Sequence, residues 1–352
     1  MGCDLRDLTE PKTINFEQLS NRVLAVDAYN TLYQFLSSIR QPDGTPLMDT
    51  KGRLTGHLSG LFYRTLKWVD VGIKPVFIFD GKPPELKKGT LEQRRKRKEQ
   101  AQKKMQIALE QGDEQAAKRY AQQTSKLTPQ MAEQAKELLT HLGIPYIQAP
   151  SEGEAEAADL VQRNLAYAAA SQDYDSLLFG ASRLLRNLST TGRRKVPRQN
   201  RYIQIEPQII SLDKTLNSNN LNRYQLIWLA LLSGTDFNKG VHGIGPKKSL
   251  KLINNAKSFE QVIERLPQSA KDKKTQDGQI EGLENWEEIE QFFLKPPVSS
   301  VSQIPKTEPS EQKALSFLVD EFDFSPNRVE RTLQAHFKKQ KETGGQTRLG
   351  DW

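Results

Sequence analysis

The sequence predicts an α/β fold in which a central, mostly parallel sheet is covered by helices on both faces, and three observations carry that expectation. Short apolar runs ending in aspartate, Arg22 to Asp27 (RVLAVD), Pro75 to Asp80 (PVFIFD) and Ala166 to Asp173 (AYAAASQD), have the continuous hydrophobicity of strands buried on both sides. Segments with apolar residues at helical spacing lie between them, so strands and helices alternate. Acidic residues then fall where strands or helices should end: Asp27, Asp80, Glu152 with Glu154, Asp173 with Asp175, and Asp236. In open sheets of this kind ligands gather at the carboxyl ends of strands, where Asp27, Asp80 and Asp173 stand.

The elements follow in order. Leu54 to Val71 reads as the helix between the first two strands, and Gln130 to His141 as the helix before the third. Thr128 can cap the latter, Pro129 suits its first turn and Gly143 stops it. From Asn222 the pattern turns helical, with Tyr224 to Leu232 leading into GTDFNKGVHGIGPKKSLKLI. The proline-rich stretch Lys295 to Pro309 reads as a loop or linker. Helices resume over Glu311 to Glu321 and Asn327 to Lys338, and Gly344-Gly345 releases a short tail.

The chain has 352 residues and 40.0 kDa, enough for a sizeable core in one large domain or two smaller ones. Lys and Arg outnumber Asp and Glu by 51 to 43, for a net charge of +8 and a pI near 9.3. Acids sequestered in a metal site would leave the exposed surface more basic still, which suits a polyanionic partner. Cys3 is the only cysteine, which excludes a disulfide framework and fits a reducing compartment. No apolar run reaches membrane-spanning length, and Arg6 stands where a myristoylation motif needs Ser or Thr. The expectation is a monomeric cytoplasmic protein, or a nuclear one in a eukaryote, with no membrane partner.

Seven carboxylates without a histidine among them point to magnesium, because hard cations prefer oxygen ligands. Two such ions about 4 Å apart can hold the attacking and leaving oxygens of a phosphodiester displacement. Each acid also has an ordinary explanation. A strand-end Asp is often a helix cap, and Ser151-Glu152-Gly153-Glu154 reads as a capping box that accounts for Glu154 but not Glu152. Asp173 and Asp175 sit on a turn where alternation points both carboxylates the same way. Their convergence on one sheet edge favours chemistry, since buried carboxylates without cations are costly. The basic run from Lys82 to Lys104 follows Asp80 closely and can neutralise a phosphate there. His242-Gly243-Ile244-Gly245-Pro246-Lys247-Lys248 reads as a helix-hairpin-helix whose glycines and amides approach a phosphate backbone. The four histidines show no ligand spacing, and no Ser-His-Asp set, P-loop or GxGxxG is present.

The segments DAYNTLYQFLSSIRQ, FDGKPPELKKGTLEQRRKR, APSEGEAEAADL, SQDYDSLLFG and GTDFNKGVHGIGPKKS, in this order, resemble flap endonucleases of the structure-specific 5′-nuclease superfamily, the xeroderma pigmentosum G type. The resemblance covers nearly the whole chain. It implies a magnesium-dependent (or manganese-dependent) 5′ flap endonuclease and 5′-3′ exonuclease of Okazaki-fragment maturation and repair, with a PIN-like fold and the seven acids as its two-metal cluster. It implies that Lys87 and Arg94 are gateway cations on the scissile phosphate, that Tyr33 stacks on a neighbouring base, and that Arg40, Arg64, Gly234, Gly243, Gly245, Lys247 and Lys248 meet DNA. Thr55 falls in the segment of a 3′-flap pocket, Gly2 resembles an active-site amino terminus, and Gly240, Val241 and Ile244 resemble a potassium site. It also implies the organisation: one nuclease domain over 1–337, with an N-terminal region 1–100, a helical cap 101–127, an internal region 128–260 bearing the hairpin at 236–254, C-terminal helices 311–337, and a flexible tail 338–352. In that tail Gln346, Leu349 and Trp352 resemble a sliding-clamp-binding box with one terminal aromatic, and a chain stopping there looks archaeal. The rival expectations are a Holliday-junction or exonuclease-type relative and a catalytically silent, clamp-bound DNA adaptor.

Overall fold

The computed structural model describes residues 3–41, 45–113, 116, 120, 126–189, 192–195 and 201–343. Its strands are β1 (Lys12–Thr13), β2 (Val23–Asp27), β3 (Lys74–Phe79), β4 (Tyr146–Gln148), β5 (Ala168–Ala170), β6 (Arg183–Arg186), β7 (Gly192–Lys195), β8 (Tyr202–Ile205) and β9 (Gln208–Ser211). Seven of them form one sheet in the order β1-β9-β6-β5-β2-β3-β4, and β7 with β8 makes a separate antiparallel ribbon. The inner pairs β4-β3, β3-β2, β2-β5 and β5-β6 are parallel, and only β9 runs against its neighbours β6 and β1. The mostly parallel sheet is therefore as the apolar runs predict.

The strands read as unbroken apolar runs because both faces are covered. Leu24, Val26, Phe77, Phe79, Ala168 and Ala170 belong to one buried cluster, while the alternating Ala25, Val76, Ile78 and Ala169 belong to the other. The register sets Ala25 beside Val76 and Ala169, and Asp27 beside Ile78. Side chains two residues further on stay on the same face, which carries Asp27, Asp80 and Ser171 to one edge.

The helices that matter here are α1 (Ala28–Ser38), α2 (Gly56–Asp70), α3 (Lys88–Glu110), α4 (Pro129–His141), α5 (Gly153–Gln162), the short α6 (Asp175–Leu178), α7 (Arg223–Ser233), α8 (Pro246–Ile253) and α9 (Pro326–Thr343). Thr128 caps α4 by accepting from the Met131 amide at 3.2 Å, and Gly143 follows it at φ +70°. Asn222 and Gln225 make a reciprocal capping box on α7, which is buried along Leu226 to Leu232. By contrast, among its described side chains α3 buries only Ala101 and Ala108, and most of its charges face water, Arg94 and Lys98 being half-buried. Residues Lys295 to Pro309 contain no helix or strand, in line with the proline-rich composition. The last elements are a helical turn Glu311–Ser316 continued by a π-helical turn Phe317–Glu321, then α9. They pack with α2 and α4 through Ala314, Phe317, Leu318, Val329 and Leu333.

Candidate active site

Asp27 ends β2 and caps α1, accepting from the Asn30 amide at 2.9 Å with one oxygen and from Ser171 Oγ at 3.1 Å with the other. The strand-end cap is thus real, and it leaves the carboxylate facing its acidic neighbours. Asp80 follows β3 and accepts from the Gly153 amide at 2.8 Å, at the start of α5. Glu154 lies in the first turn of α5 and accepts from Ser171 Oγ at 3.2 Å. The expected capping box is corrected: Glu152, not Ser151, occupies the cap position, and its own side chain makes no capping bond, the Gly153 amide being taken by Asp80 instead. Without that reciprocal pair, Glu152 and Glu154 are both released to the site. Asp173 accepts from Asn30 Nδ2 at 3.1 Å, and Asp175, opening α6, accepts from the Cys3 amide at 3.0 Å.

Two cations reach the same edge. Lys87 Nζ lies 2.5 Å from Glu152 Oε2 and 3.4 Å from Asp236 Oδ2, and Arg94 Nη2 contacts both Asp236 oxygens at 2.7 and 2.6 Å. Burial alone would lower the Lys87 ammonium, but Glu152 and Asp236 outweigh it and hold it above the usual lysine range. Burial would likewise raise Asp236, and Lys87 with Arg94 reverses that, leaving its carboxyl below the ordinary range.

The inner acids receive less relief, with Lys87 acting on Glu154, Asp175 and Asp80 only as a weaker, more distant charge. Burial, then the charges of Asp80 and Asp173, pushes Asp27 up to about 8. Burial with Asp236 and Asp173 pushes Asp175 up to about 7, and burial with Asp175, Asp173 and Asp27 raises Glu154 well above a normal glutamate. Asp80 rises to about 6 through burial and Glu152, moderated by Lys87 and the Gly153 amide. A buried, all-oxygen donor set short of positive charge suits hard divalent cations. Among the described residues, however, no group of three or more His, Cys, Asp or Glu side chains is drawn together tightly enough to hold a metal ion. The seven acids therefore share one edge without closing into a cage. Lys87 and Arg94 meanwhile engage Glu152 and Asp236.

The DNA-facing expectations distribute around this edge. Tyr33 stands on α1 beside it, its hydroxyl 3.2 Å from Lys98 Nζ of α3. Arg64 lines a cavity of about 610 Å3 with Lys67, Trp68 and Ser189. Arg40 lines another of about 280 Å3 with Leu47, Leu54, Gly56 and Met131, and Thr55 is buried at the adjoining start of α2. The hairpin between α7 and α8 rests on backbone contacts that only glycine allows. A Cβ on Gly234 would meet the Lys239 carbonyl at 2.7 Å, and one on Gly240 the Gly234 nitrogen at 2.3 Å, with both residues at positive φ. Gly240, Val241, Gly243 and Ile244 line a cavity of about 590 Å3 with Lys239, Lys251 and Lys273, while open space surrounds Gly243 and Gly245. Lys248 folds back onto the Gly243 carbonyl at 2.8 Å, and exposed Lys247 pairs with Asp7 at 3.1 Å. Gly2 and the tail residues Gln346, Leu349 and Trp352 lie outside the described residues.

Sequence reasoning missed the groups that seat the acids. Asn30, Ser171, Gly153 and the Cys3 amide each hold a carboxylate. One of them carried a signal: Asn30 is three residues past Asp27, the spacing of a capping bond, whereas the fit of Gly153 against Asp80 Oδ1, where a Cβ would come to 2.7 Å, shows only in the fold. Cys3, 172 residues from Asp175 in the chain, carried none.

Known proteins resemble this chain along nearly its whole length. The models of the XPG N-terminal domain and the XPG I-region match residues 5–101 and 143–236. Flap endonuclease 1 of Staphylothermus marinus is 48% identical over 355 residues, 99% of this chain and 98% of that protein. Flap endonuclease 1 of Pyrococcus furiosus is 46% identical over 353 residues, 100% of this chain and 99% of that protein. Among solved structures, flap endonuclease-1 from Methanococcus jannaschii superposes with a TM-score of 0.73 at 35% identity, covering 97% of this chain and 100% of that one. The catalytic core of Rad2 in complex with DNA substrate superposes with a TM-score of 0.64 at 26% identity, covering 94% of this chain and 96% of that one. The chain, archaeal-like in its relatives, belongs to the flap endonuclease family of XPG-type nucleases.

Proposed function

We infer that the protein is a structure-specific DNA nuclease that cuts 5′ flaps and trims 5′ ends by magnesium-dependent hydrolysis, in replication and repair. The observation that carries this reading is the convergence of seven acids with Lys87 and Arg94 on one sheet edge of a flap-endonuclease chain. Asp27, Asp80, Glu152, Glu154, Asp173, Asp175 and Asp236 are the residues that would hold the metal. Two magnesium ions bound there would supply Lewis acidity, activating water and neutralising charge on the phosphodiester. The chain's own groups do the rest. Lys87 and Arg94 exchange carboxylate for phosphate oxygens and so bring positive charge to the scissile group. Tyr33 presents an aromatic face for an unpaired base. Arg40, Arg64, Lys247 and the glycine hairpin hold backbone phosphates, which fixes register without reading sequence.

A panel of 5′-flap, nicked, gapped, four-way and unbranched DNA, assayed with magnesium and with chelator, tests this reading. Single-site cleavage at the flap junction that stops on chelation is expected. Chelator-resistant cleavage, or a preference for four-way DNA, would overturn it. We further propose that Gln346, Leu349 and Trp352 dock the tail on a sliding clamp of the proliferating cell nuclear antigen type, with Leu349 and Trp352 as apolar anchors. Support comes from the resemblance of the box alone, and truncation after Gly345 should remove clamp binding while leaving basal cleavage intact.

A further inference from the structure

One polar chain leads away from the acidic edge and is used by nothing described so far. Asn30 Nδ2 donates to Asp173 Oδ2 at 3.1 Å, and Asn30 Oδ1 accepts from Gln34 Nε2 at 2.5 Å, one turn along α1. Gln34 Oε1 accepts from Ser189 Oγ, and the Ser189 carbonyl accepts from Arg64 Nη1. Arg64 also lies over the Phe35 ring, 5.4 Å from its centroid, which fixes the guanidinium from its other side.

The order of donors gives the chain a direction. The Ser189 hydroxyl donates to Gln34, Gln34 to Asn30, and Asn30 to the Asp173 carboxylate, while Arg64 meets Ser189 at its backbone carbonyl. From the hydroxyl to the carboxylate each amide is oriented by the next, an arrangement in which successive hydrogen bonds reinforce one another, and Arg64 holds the backbone from which the series starts. Asn30 holds a second member of the acidic set through its backbone, since its amide donates to Asp27. The space among Asn30, Gln34, Ser171, Leu188 and Ser189 is a cavity of about 10 Å3, too small for water to replace a lost link by more than one molecule. The far end is open: Arg64 and Ser189 line the cavity of about 610 Å3 beside Lys67. Two lysine and arginine heads at its wall suit a phosphodiester strand.

We propose that Asn30 and Gln34 are positioning residues of the nuclease, which set Asp173 through a directed series of hydrogen bonds from the Ser189 hydroxyl, and that Arg64, by holding the Ser189 backbone, ties strand engagement at its cavity to the placement of that carboxylate. The proposal rests on the nuclease reading above. A strand phosphate that draws on Arg64 loads or relaxes the Ser189 link, and the change reaches Asp173 through two side-chain amides rather than through solvent. Groups that orient metal-binding carboxylates from behind commonly affect metal affinity or turnover by about 10- to 100-fold.

The test uses the full chain and the variants Gln34→Leu, Ser189→Ala and Ser189→Thr, with Arg64→Ala for coupling. Manganese binding to DNA-free protein is read by titration calorimetry, and flap cleavage by single-turnover kinetics over a magnesium series. Gln34→Leu and Ser189→Ala should each weaken manganese binding and slow cleavage by about tenfold at saturating DNA, with flap affinity within about twofold of wild type. Ser189→Thr, which keeps the hydroxyl, should restore both. Combining Arg64→Ala with Gln34→Leu should cost less in rate than the sum of the single effects. Wild-type manganese affinity and magnesium dependence in folded Gln34→Leu and Ser189→Ala would overturn the relay. So would equal losses in Ser189→Thr and Ser189→Ala. Wild-type protein runs in the same series, so a failure of the nuclease reading shows as absent cleavage in the wild type, whereas a failure of the relay shows as variants that match an active wild type.

Discussion

The acidic edge has two halves, and they solve the problem of buried charge in opposite ways. In the outer half, Glu152 and Asp236 have their own cations, Lys87 and Arg94, and Asp236 is held below the usual carboxylate range. In the inner half, the hydrogen bonds that Asp27, Glu154 and Asp175 receive from described residues come from backbone amides and a serine hydroxyl, and all three are pushed upward. On the proposed function, the outer half, already paired as folded, would have to release its cations to use them on a substrate. The inner half, short of positive charge, would gain from cations arriving from solution. Stability and function are thus divided within a few residues of the same sheet edge.

Removing an inner acid should have the largest effect. Asp175→Asn or Asp27→Asn should lower single-turnover cleavage on the order of 1000-fold while flap binding changes little, because these groups serve the metal rather than the duplex. Equal loss of binding and rate in a filter-binding and quench-flow comparison would move them into the DNA interface. Removing an outer cation should come next. Lys87→Ala or Arg94→Ala should slow cleavage about 100-fold at saturating DNA. Should only affinity fall, they are general phosphate contacts and the division between the halves loses its functional side.

The third effect is on stability, and its sign separates the halves. Asp175 is raised from 3.8 to about 7 and Asp27 from 3.8 to about 8, so protonation favours the folded state. Their contribution is fully present below about 4 and is lost as pH rises through about 7 to 8. Chelated Asp175→Asn should therefore melt higher than wild type at pH 8, with the gap closing toward pH 4, in calorimetric scans. An Asp236→Asn variant should do the reverse near neutral pH, since that carboxylate is favoured in its charged form. The smallest effect belongs to the hairpin. Lys247→Ala should lower the salt slope of flap binding by about one, if the exposed ammonium exchanges Asp7 for one phosphate.

The sheet was legible in the sequence because its strands are buried on both faces: RVLAVD and PVFIFD can hardly be anything else when each ends in a carboxylate. Asp27 and Asp80 were legible for the same reason, as continuations of β2 and β3 past a known register. Glu152 was visible only as an acid left over from a capping box that does not form, since local propensity yields to tertiary demand there. Apart from Asn30, the supports were not legible. Cys3 holds Asp175 by a backbone amide, which any residue could supply, and Gln34 reaches Ser189 through a contact set by how β6 leads out of the sheet. Nor does composition reveal that exposed Lys248 bends back onto the Gly243 carbonyl while its neighbour Lys247 pairs with Asp7.

Manganese titration of DNA-free protein tests the division most directly, with Asp175→Asn and Lys87→Ala measured side by side. The inner half should be the metal seat and Lys87 its competitor for Glu152 and Asp236. Asp175→Asn should then lose manganese binding by at least about tenfold, and Lys87→Ala should bind as tightly as wild type or more tightly. Retained binding in Asp175→Asn together with lost binding in Lys87→Ala would contradict the account.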